Sequence, residues 1–239
     1  MPDLAAPRRS VIDHPLDRPV WNMLTGPMAS LARGSLAALR IDPGYGPFAA
    51  ARDVSAEAQN ALTGLSTGDS DELWVVEPDE WQAPPGLRLL RTAVLAQMVA
   101  EEPAGLEPGD EAAEPLGEGD VAAMTALALA TEPGPWGSLT HRYGRFYGLR
   151  DGPRLAAMAG ERMRPATGFA EVSGVCTWPE YRGRGYAAAL IRRVMAGFAE
   201  RGDVPFLHSY AANAGAIALY ERLGFRIRRT MTVTILARA

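Results

Sequence analysis

The second half of the chain carries two rhythms of apolar and polar residues, one typical of strands and one of helices. Short apolar runs predict strands over 145–149, 154–161, 169–177, 204–209, 225–229 and 231–236, the first two joined as a hairpin by the turn 150–153. Apolar positions three and four residues apart predict helices over 121–130, 187–198 and 213–223. Gly224 ends the last helix in this prediction, because glycine readily takes the left-handed conformation that closes a helix. We therefore expect an α/β domain that finishes with antiparallel strands.

The first half predicts helices over 20–39 and 55–65, an apolar run over 45–50, and strands over 72–76 and 87–99. Between the halves, 101–120 contains eight carboxylates, three prolines, four glycines and no basic residue, which is the composition of a solvated connection. We predict two domains: an N-terminal α/β lobe over 1–95 that carries no recognisable motif, and a larger domain over 96–239.

Composition narrows the class of protein. With 47% hydrophobic residues and a net charge of −4, the 239-residue chain is predicted to be an ordinary globular protein, and its short basic runs argue against nucleic acid as a partner. The longest apolar run, 121–130, is half of the about 20 residues that span a bilayer. Residues 1–14 lack the apolar stretch of a secretory signal, so we expect no membrane partner and a cytoplasmic location. A single cysteine and three scattered histidines predict neither a disulfide nor a metal site.

All 24 basic residues are arginine, and lysine is absent from the sequence. A P-loop places a lysine on its phosphates and pyridoxal phosphate needs a lysine for its Schiff base. Neither the usual ATPase chemistry nor transaminase chemistry is therefore expected.

The strongest chemical signal is the run Arg182-Gly183-Arg184-Gly185-Tyr186-Ala187, which lies between a predicted strand and a predicted helix. Glycines at such a turn let the backbone approach a ligand, and the free N–H groups of the first helical turn can then bind a diphosphate. The same residues also fit a dinucleotide-binding turn with Asp203 as its acidic partner. That alternative is disfavoured, because five residues separate the strand ending near Thr177 from the first glycine and Asp203 precedes the next strand.

Three segments together resemble the GNAT superfamily of acetyl-CoA-dependent N-acetyltransferases. The run 182–187 is similar to that family's pyrophosphate-binding motif, 171–177 to its central strand, and 213–225 to its Asn…Leu-Tyr…Gly-Phe helix. The resemblance implies a mixed, largely antiparallel sheet flanked by helices, with the N-terminal lobe as a degenerate copy of the same fold. A two-lobed arrangement of this kind resembles the glycine N-acyltransferase-like branch.

The resemblance also implies site residues. The expected cofactor contacts, for acetyl-CoA, are Val175, Cys176, Thr177, Arg182, Gly183, Arg184, Gly185, Tyr186, Ala187 and Asn213. Tyr220 matches the tyrosine that protonates the departing thiolate, and Glu171 is the candidate base because it lies eleven residues before Arg182. Glu161, Glu132 and His141 remain alternatives that would act through water.

The function predicted on this basis is acetyl transfer from acetyl-CoA to a primary amine by direct attack. The acceptor is expected to be a small molecule or a peptide amine, and the protein to be a monomer or a homodimer. Two alternatives stay open: an acyl-CoA-binding module without catalysis and, less favoured, an NAD-dependent Rossmann oxidoreductase. The loops carry no recognisable acceptor motif.

Overall fold

A computed structural model of the protein describes residues 14–239; residues 1–13, where we expect no secretory signal, lie outside the described part. The N-terminal elements are α1 (Pro19–Thr25), β1 (Ala32–Ser35), β2 (Ala38–Ile41), β3 (Ala49–Ala51) and α2 (Ala56–Gly64). Strands β1 to β3 form a small antiparallel sheet. The helix predicted over 20–39 is wrong beyond residue 25, because Gly26-Pro27 ends it and the chain turns back as the hairpin β1–β2.

The remaining elements build one large sheet and its covering helices. They are β4 (Leu73–Glu77), β5 (Leu87–Val99), β6 (Glu114–Leu116), α3 (Val121–Thr131), β7 (Phe146–Asp151), β8 (Arg154–Glu161), β9 (Phe169–Thr177), α4 (Tyr186–Ala199), β10 (Val204–Tyr210), α5 (Ala214–Arg222) and β11 (Arg226–Arg238). The sheet order is β4-β11-β5-β10-β9-β8-β7-β6, and only β9 and β10 pair in parallel among the described strands of this sheet. The predicted mixed, largely antiparallel sheet flanked by helices is confirmed.

The N-terminal half is joined to this sheet by its strands. β4 pairs with β11 at one edge, and the long strand β5 pairs with both β10 and β11. The predicted domain boundary between residues 95 and 96 therefore falls inside β5. A backbone hydrogen bond of 2.9 Å from Trp74 N to Pro47 O links β4 to the segment that enters β3.

The two faces of the sheet bury different cores. Leu190, Ile191, Val194 and Phe198 of α4 pack on one face with alternate residues of β8, β9 and β10. Helices α1 and α3 cover the opposite face, where Val20 and Met23 of α1 lie against β10 and β11. Because side chains alternate across a strand, neighbouring residues of β9 serve both cores, with Ala170 and Val172 toward α4.

The acidic connection is partly packed. The buried Asp110 carboxylate accepts two hydrogen bonds from Arg192 of α4, at 2.6 and 2.8 Å, and this pairing lowers the pKa of Asp110. It therefore fastens the middle of the connection to the back of α4. Within residues 14–239, no helix is both long enough and apolar enough to cross a bilayer.

Candidate functional site

The glycine-rich turn delivers the chain from β9 into α4 with its backbone open to solvent. Gly183 and Gly185 have φ angles of +77° and +81°, a region that residues with a Cβ rarely occupy. No heavy atom beyond the adjacent residues lies within 4 Å of a Cβ placed on either glycine, so the space beside both glycines is open. A cavity of about 790 Å³, here called the turn cavity, lies beside the first turn of α4, whose N–H groups have no partner inside the helix.

The sheet splits next to this turn. β9 and β10 pair only from Phe169↔Val204 to Glu171↔Phe206, and farther along each strand pairs with its other neighbour. Beyond the last shared pair, β9 also carries a bulge, because Ser173 pairs with Gly160 and Cys176 with Met158. The inserted residue is accommodated at Gly174, whose φ is +61°.

A second cavity, of about 290 Å³ and here called the central cavity, lies at this split. Val175, at the bulge, lines it from β9, while Asn213 and Tyr220 line it from the start and the end of α5. Leu219 lines both cavities, so they adjoin across one side chain. The geometry therefore places the two cavities side by side, one at the α4 N-terminus and the other at the split sheet.

Tyr220 presents a protonated phenol to the central cavity. Its ring packs edge to face on Phe225, with 6.0 Å between ring centroids, which fixes the ring direction. Burial and the nearby Cys176 thiol raise the pKa of Tyr220, so the hydroxyl keeps its proton at neutral pH. Asn213 caps α5, with its side-chain oxygen accepting a hydrogen bond of 3.2 Å from Ala216 N.

Glu171 lies inside the protein in a dense set of hydrogen bonds. Arg162 donates to both carboxylate oxygens at 2.8 Å, His208 Nδ1 lies 2.8 Å from Oε1, and Met163 N donates to Oε2 at 3.3 Å. Burial alone would favour the neutral acid, but the charge and hydrogen bonds of Arg162 and the contact with His208 outweigh it and lower the pKa of Glu171 to about 2. Each oxygen has two partners, so the carboxylate has no free site for a further proton donor.

Hydrogen bonds continue from Glu171 across three more strands. Gln97 of β5 donates from Nε2 to Leu16 O at 2.7 Å and accepts at Oε1 from Arg228 at 2.9 Å, which fixes the amide orientation. The same Nε2 lies 3.0 Å from His208 Nε2, so that ring nitrogen must accept. His208 is therefore the neutral tautomer with its proton on Nδ1, shared with Glu171. Arg228 reaches Gln97 because it is the extra residue of a bulge in β11, between Ile227 and Arg229.

Comparison with known proteins decides the family. Residues 146–234 match the family model described as FR47-like protein. Among solved structures, a GNAT-family protein from Novosphingobium aromaticivorans is 61% identical to this chain, with a TM-score of 0.90 over 95% of this chain and 100% of its own. The chain belongs to the GNAT family.

More distant structures share the fold alone. A GCN5-related N-acetyltransferase from Kribbella flavida is 19% identical, with a TM-score of 0.59 over 92% of this chain and 93% of its own. A GCN5-related N-acetyltransferase-like protein from Streptococcus suis is 12% identical, with a TM-score of 0.53 over 92% of each chain. Comparison with curated proteins gives no match. The GNAT likeness thus extends over the N-terminal half, where no motif was recognised.

The structure distributes the predicted site residues of this GNAT protein over both cavities. The turn cavity is bordered by Thr177, Arg182, Gly183, Gly185, Tyr186 and Ala187, and the central cavity by Val175, Asn213 and Tyr220. Arg184 borders neither and lies over the ring of Tyr181, 5.0 Å from its centroid. The Cys176 thiol is buried beside α3, and burial raises its pKa to about 12, which fits a packing side chain.

The candidates for the base are separated by the fold. Glu171 is fully enclosed, whereas Glu132 borders the central cavity at an exposed position. Glu132 also has a φ of +47°, the only positive value among the described non-glycine residues. Glu161 and His141 lie outside the central cavity and pair with Arg201 and Glu118.

Sequence reasoning missed most of the residues that line the central cavity. Among them are Phe48 and Trp74 from the N-terminal half, Arg162 after β8 and His208 in β10. His208 had been noted only as a scattered histidine. Its place opposite Gln97 and beside Glu171 depends on strand pairing between segments more than 30 residues apart. Strand register was the signal needed, and single-sequence periodicity does not supply it.

Proposed function

We propose that this GNAT protein transfers the acetyl group of acetyl-CoA to a primary amine by direct attack. The observation that carries the proposal is the split between β9 and β10, where a cavity bordered by a protonated tyrosine adjoins the cavity of the glycine-rich turn. A thioester supplies an acyl group that an amine can attack without a covalent acyl-enzyme. Cys176, buried with a raised pKa, is not required as a nucleophile.

The residues at the turn fit the cofactor. The free N–H groups at the start of α4 and the open backbone at Gly183 and Gly185 suit a diphosphate. The edge of β9 that no longer pairs with β10, Val175 to Thr177, suits the amide groups of a pantetheine arm, which would pair with it as an added strand. A backbone N–H at the bulge would polarise the thioester carbonyl.

Protons move at two places in this proposal. Tyr220 gives its proton to the departing sulfur, since its hydroxyl is protonated and borders the central cavity. We assign Glu171 a positioning role: it holds Arg162 and His208 in place. Both of its carboxylate oxygens already accept hydrogen bonds, so it is not available as the base. The acceptor ammonium loses one proton to water in the cavity before it attacks, with Glu132 as the carboxylate at the cavity border. The second proton, which the nitrogen loses after attack, returns through water to the Tyr220 oxygen and so replaces the proton given to the sulfur.

The experiment is a thiol-release assay with acetyl-CoA over a panel of primary amines, combined with thermal unfolding. We expect amine-dependent release of CoA. We also expect CoA to stabilise the protein by about 2.7 kcal/mol at a hundredfold excess over Kd, while NAD leaves it unchanged. Stabilisation by CoA without turnover on any amine would identify the acyl-CoA-binding module instead. Stabilisation by NAD alone would refute the assignment of the turn.

A further inference from the structure

The central cavity extends well beyond the split sheet, and its far wall is apolar. Phe48 and Trp74 reach it from the N-terminal half, and Val76, Leu95 and Val233 reach it from β4, β5 and β11. All of these except Trp74 are buried. The N-terminal half of the chain thus supplies most of this wall, and β11 adds Val233.

The two aromatic rings in this wall are held in place before any ligand arrives. Trp74 donates from Nε1 to Glu72 at 2.7 Å and meets Phe48 edge to face, with 6.3 Å between centroids and 81° between planes. The Arg91 guanidinium lies 5.7 Å from the Trp74 ring centroid and that of Arg162 5.1 Å from the Phe48 ring centroid. Rings fixed in this way lose little freedom when they pack against a flat ligand.

The buried charges around the cavity cancel. Arg162 donates hydrogen bonds from Nε and Nη2 to Glu171, so this edge of its guanidinium already forms a bidentate pair with a carboxylate. His208 is neutral in the tautomer set by Gln97. A carboxylate on the acceptor would lose its hydration without gaining an unpaired cation. Glu132 at the border adds a negative charge that favours an incoming ammonium.

We propose that the central cavity selects a primary amine carried on an uncharged aromatic group. Its ring packs against Phe48 and Trp74, and its nitrogen lies toward Val175 and Tyr220. The cavity volume of about 290 Å³ is at the lower limit of small-molecule sites, which favours a small acceptor over a protein terminus. This inference rests on the proposed function, because it names the acceptor of that same site.

The test compares three amines as acceptors. 2-Phenylethylamine carries the aromatic ring, phenylalanine is the same skeleton with an added carboxylate, and ethylamine lacks the ring. We expect kcat/KM for 2-phenylethylamine to exceed the other two by about tenfold or more, since an apolar pocket discriminates by that much for small apolar changes. Equal or better use of phenylalanine or ethylamine would overturn the proposal.

Variants locate the selectivity. Trp74→Leu should raise KM for 2-phenylethylamine about tenfold while KM for acetyl-CoA and for ethylamine stays unchanged. Trp21→Leu is the matched control, because Trp21 is also a half-buried tryptophan of the N-terminal half but does not line the cavity. An equal change in both variants, or no change in the Trp74 variant, would overturn the proposal.

Calorimetry of 2-phenylethylamine binding to the CoA complex separates this inference from the proposed function. Binding that is weakened by Trp74→Leu, with no turnover, supports the acceptor site and refutes acetyl transfer. Acetyl transfer to other amines, with no binding of 2-phenylethylamine, supports the proposed function and overturns the acceptor class. Neither binding nor transfer would overturn both.

Discussion

Replacing Glu171 by glutamine tests whether this carboxylate holds the site together. The substitution keeps the size of the side chain but removes the charge that balances Arg162. It also replaces one of the two carboxylate oxygens, which accept from Arg162 and contact His208, by an amide nitrogen that cannot accept. The Arg162 side chain is largely buried, so it would keep an uncompensated charge in the interior. Removing one partner of a buried ion pair typically costs about 3–5 kcal/mol of unfolding free energy.

The pKa of Glu171 leads to the same magnitude by an independent route. A fall from the ordinary value of 4.5 to about 2 corresponds to about 3 kcal/mol of unfolding free energy. Since the folded-state pKa is depressed, this stabilisation is fully present above pH 4.5 and is lost as the pH falls toward 2. The wild-type protein should therefore lose stability over this range by about 3 kcal/mol more than Glu171→Gln does.

Urea unfolding at several pH values measures both effects. Other carboxylates also titrate in acid, so the informative quantity is the difference between wild type and variant at each pH. Glu161→Gln is the matched control, because Glu161 is buried in the neighbouring strand and pairs with Arg201 at 2.9 Å but its side chain forms no hydrogen bond or ion pair with Arg162 or His208. A Glu171→Gln protein within 1 kcal/mol of wild type at pH 7, or one with the same acid dependence, would refute the argument.

Two further substitutions test the chemistry and the cofactor turn. Tyr220→Phe deletes one hydroxyl and keeps the ring packed on Phe225, so kcat should fall by about 10²-fold while the affinity for CoA stays unchanged. This fall is at the low end for general acids, because a thiolate leaves readily. Wild-type turnover, measured with the chemical step rate-limiting, would make Tyr220 a packing residue. Gly185→Val should weaken CoA binding in a titration, because a side chain at this positive φ hinders the approach of the backbone to a phosphate. Gly202→Val is the control: Gly202 has a similar positive φ of +72° but lies beyond the far end of α4, so CoA affinity should stay unchanged. Equal CoA affinities in the two variants would refute the assignment of the turn to phosphate binding.

The sequence carried the strongest local information around the turn cavity and the split sheet. The glycine turn, β9 and the α5 helix were predicted within a residue or two, because glycines, a capping Asn213 and a closing Gly224 are local signals. In α5, Asn213 and Gly224 mark both ends, and the intervening apolar spacing sets the side that packs, partly buried, on the core. These features need no knowledge of what lies across the sheet.

Two predicted elements were wrong for different reasons. The helix predicted over 20–39 followed apolar spacing and overlooked a local stop signal, because Gly26-Pro27 ends the helix and the chain then turns back at residues 36–37 into the hairpin β1–β2. β11, predicted as two strands, is continuous, with Arg228 as a bulge residue. Here the cause is tertiary, because β11 pairs with β4 on one side and with β5 on the other, and this pairing is not visible in local spacing.

The apolar far wall of the central cavity shows why a motif search ends at the glycine turn. Phe48 and Trp74 lie about a hundred residues before Val175 in the chain, yet all three border one cavity. β11 brings them together, because it pairs with β4 on one side and with β5 on the other, and β5 carries the order on to β10 at the split. In the proposed function the cofactor is bound by backbone geometry, which requires glycines and therefore leaves a motif. The proposed acceptor site consists of apolar side chains that any strand can supply, so it leaves no motif and becomes visible only when the sheet order is known.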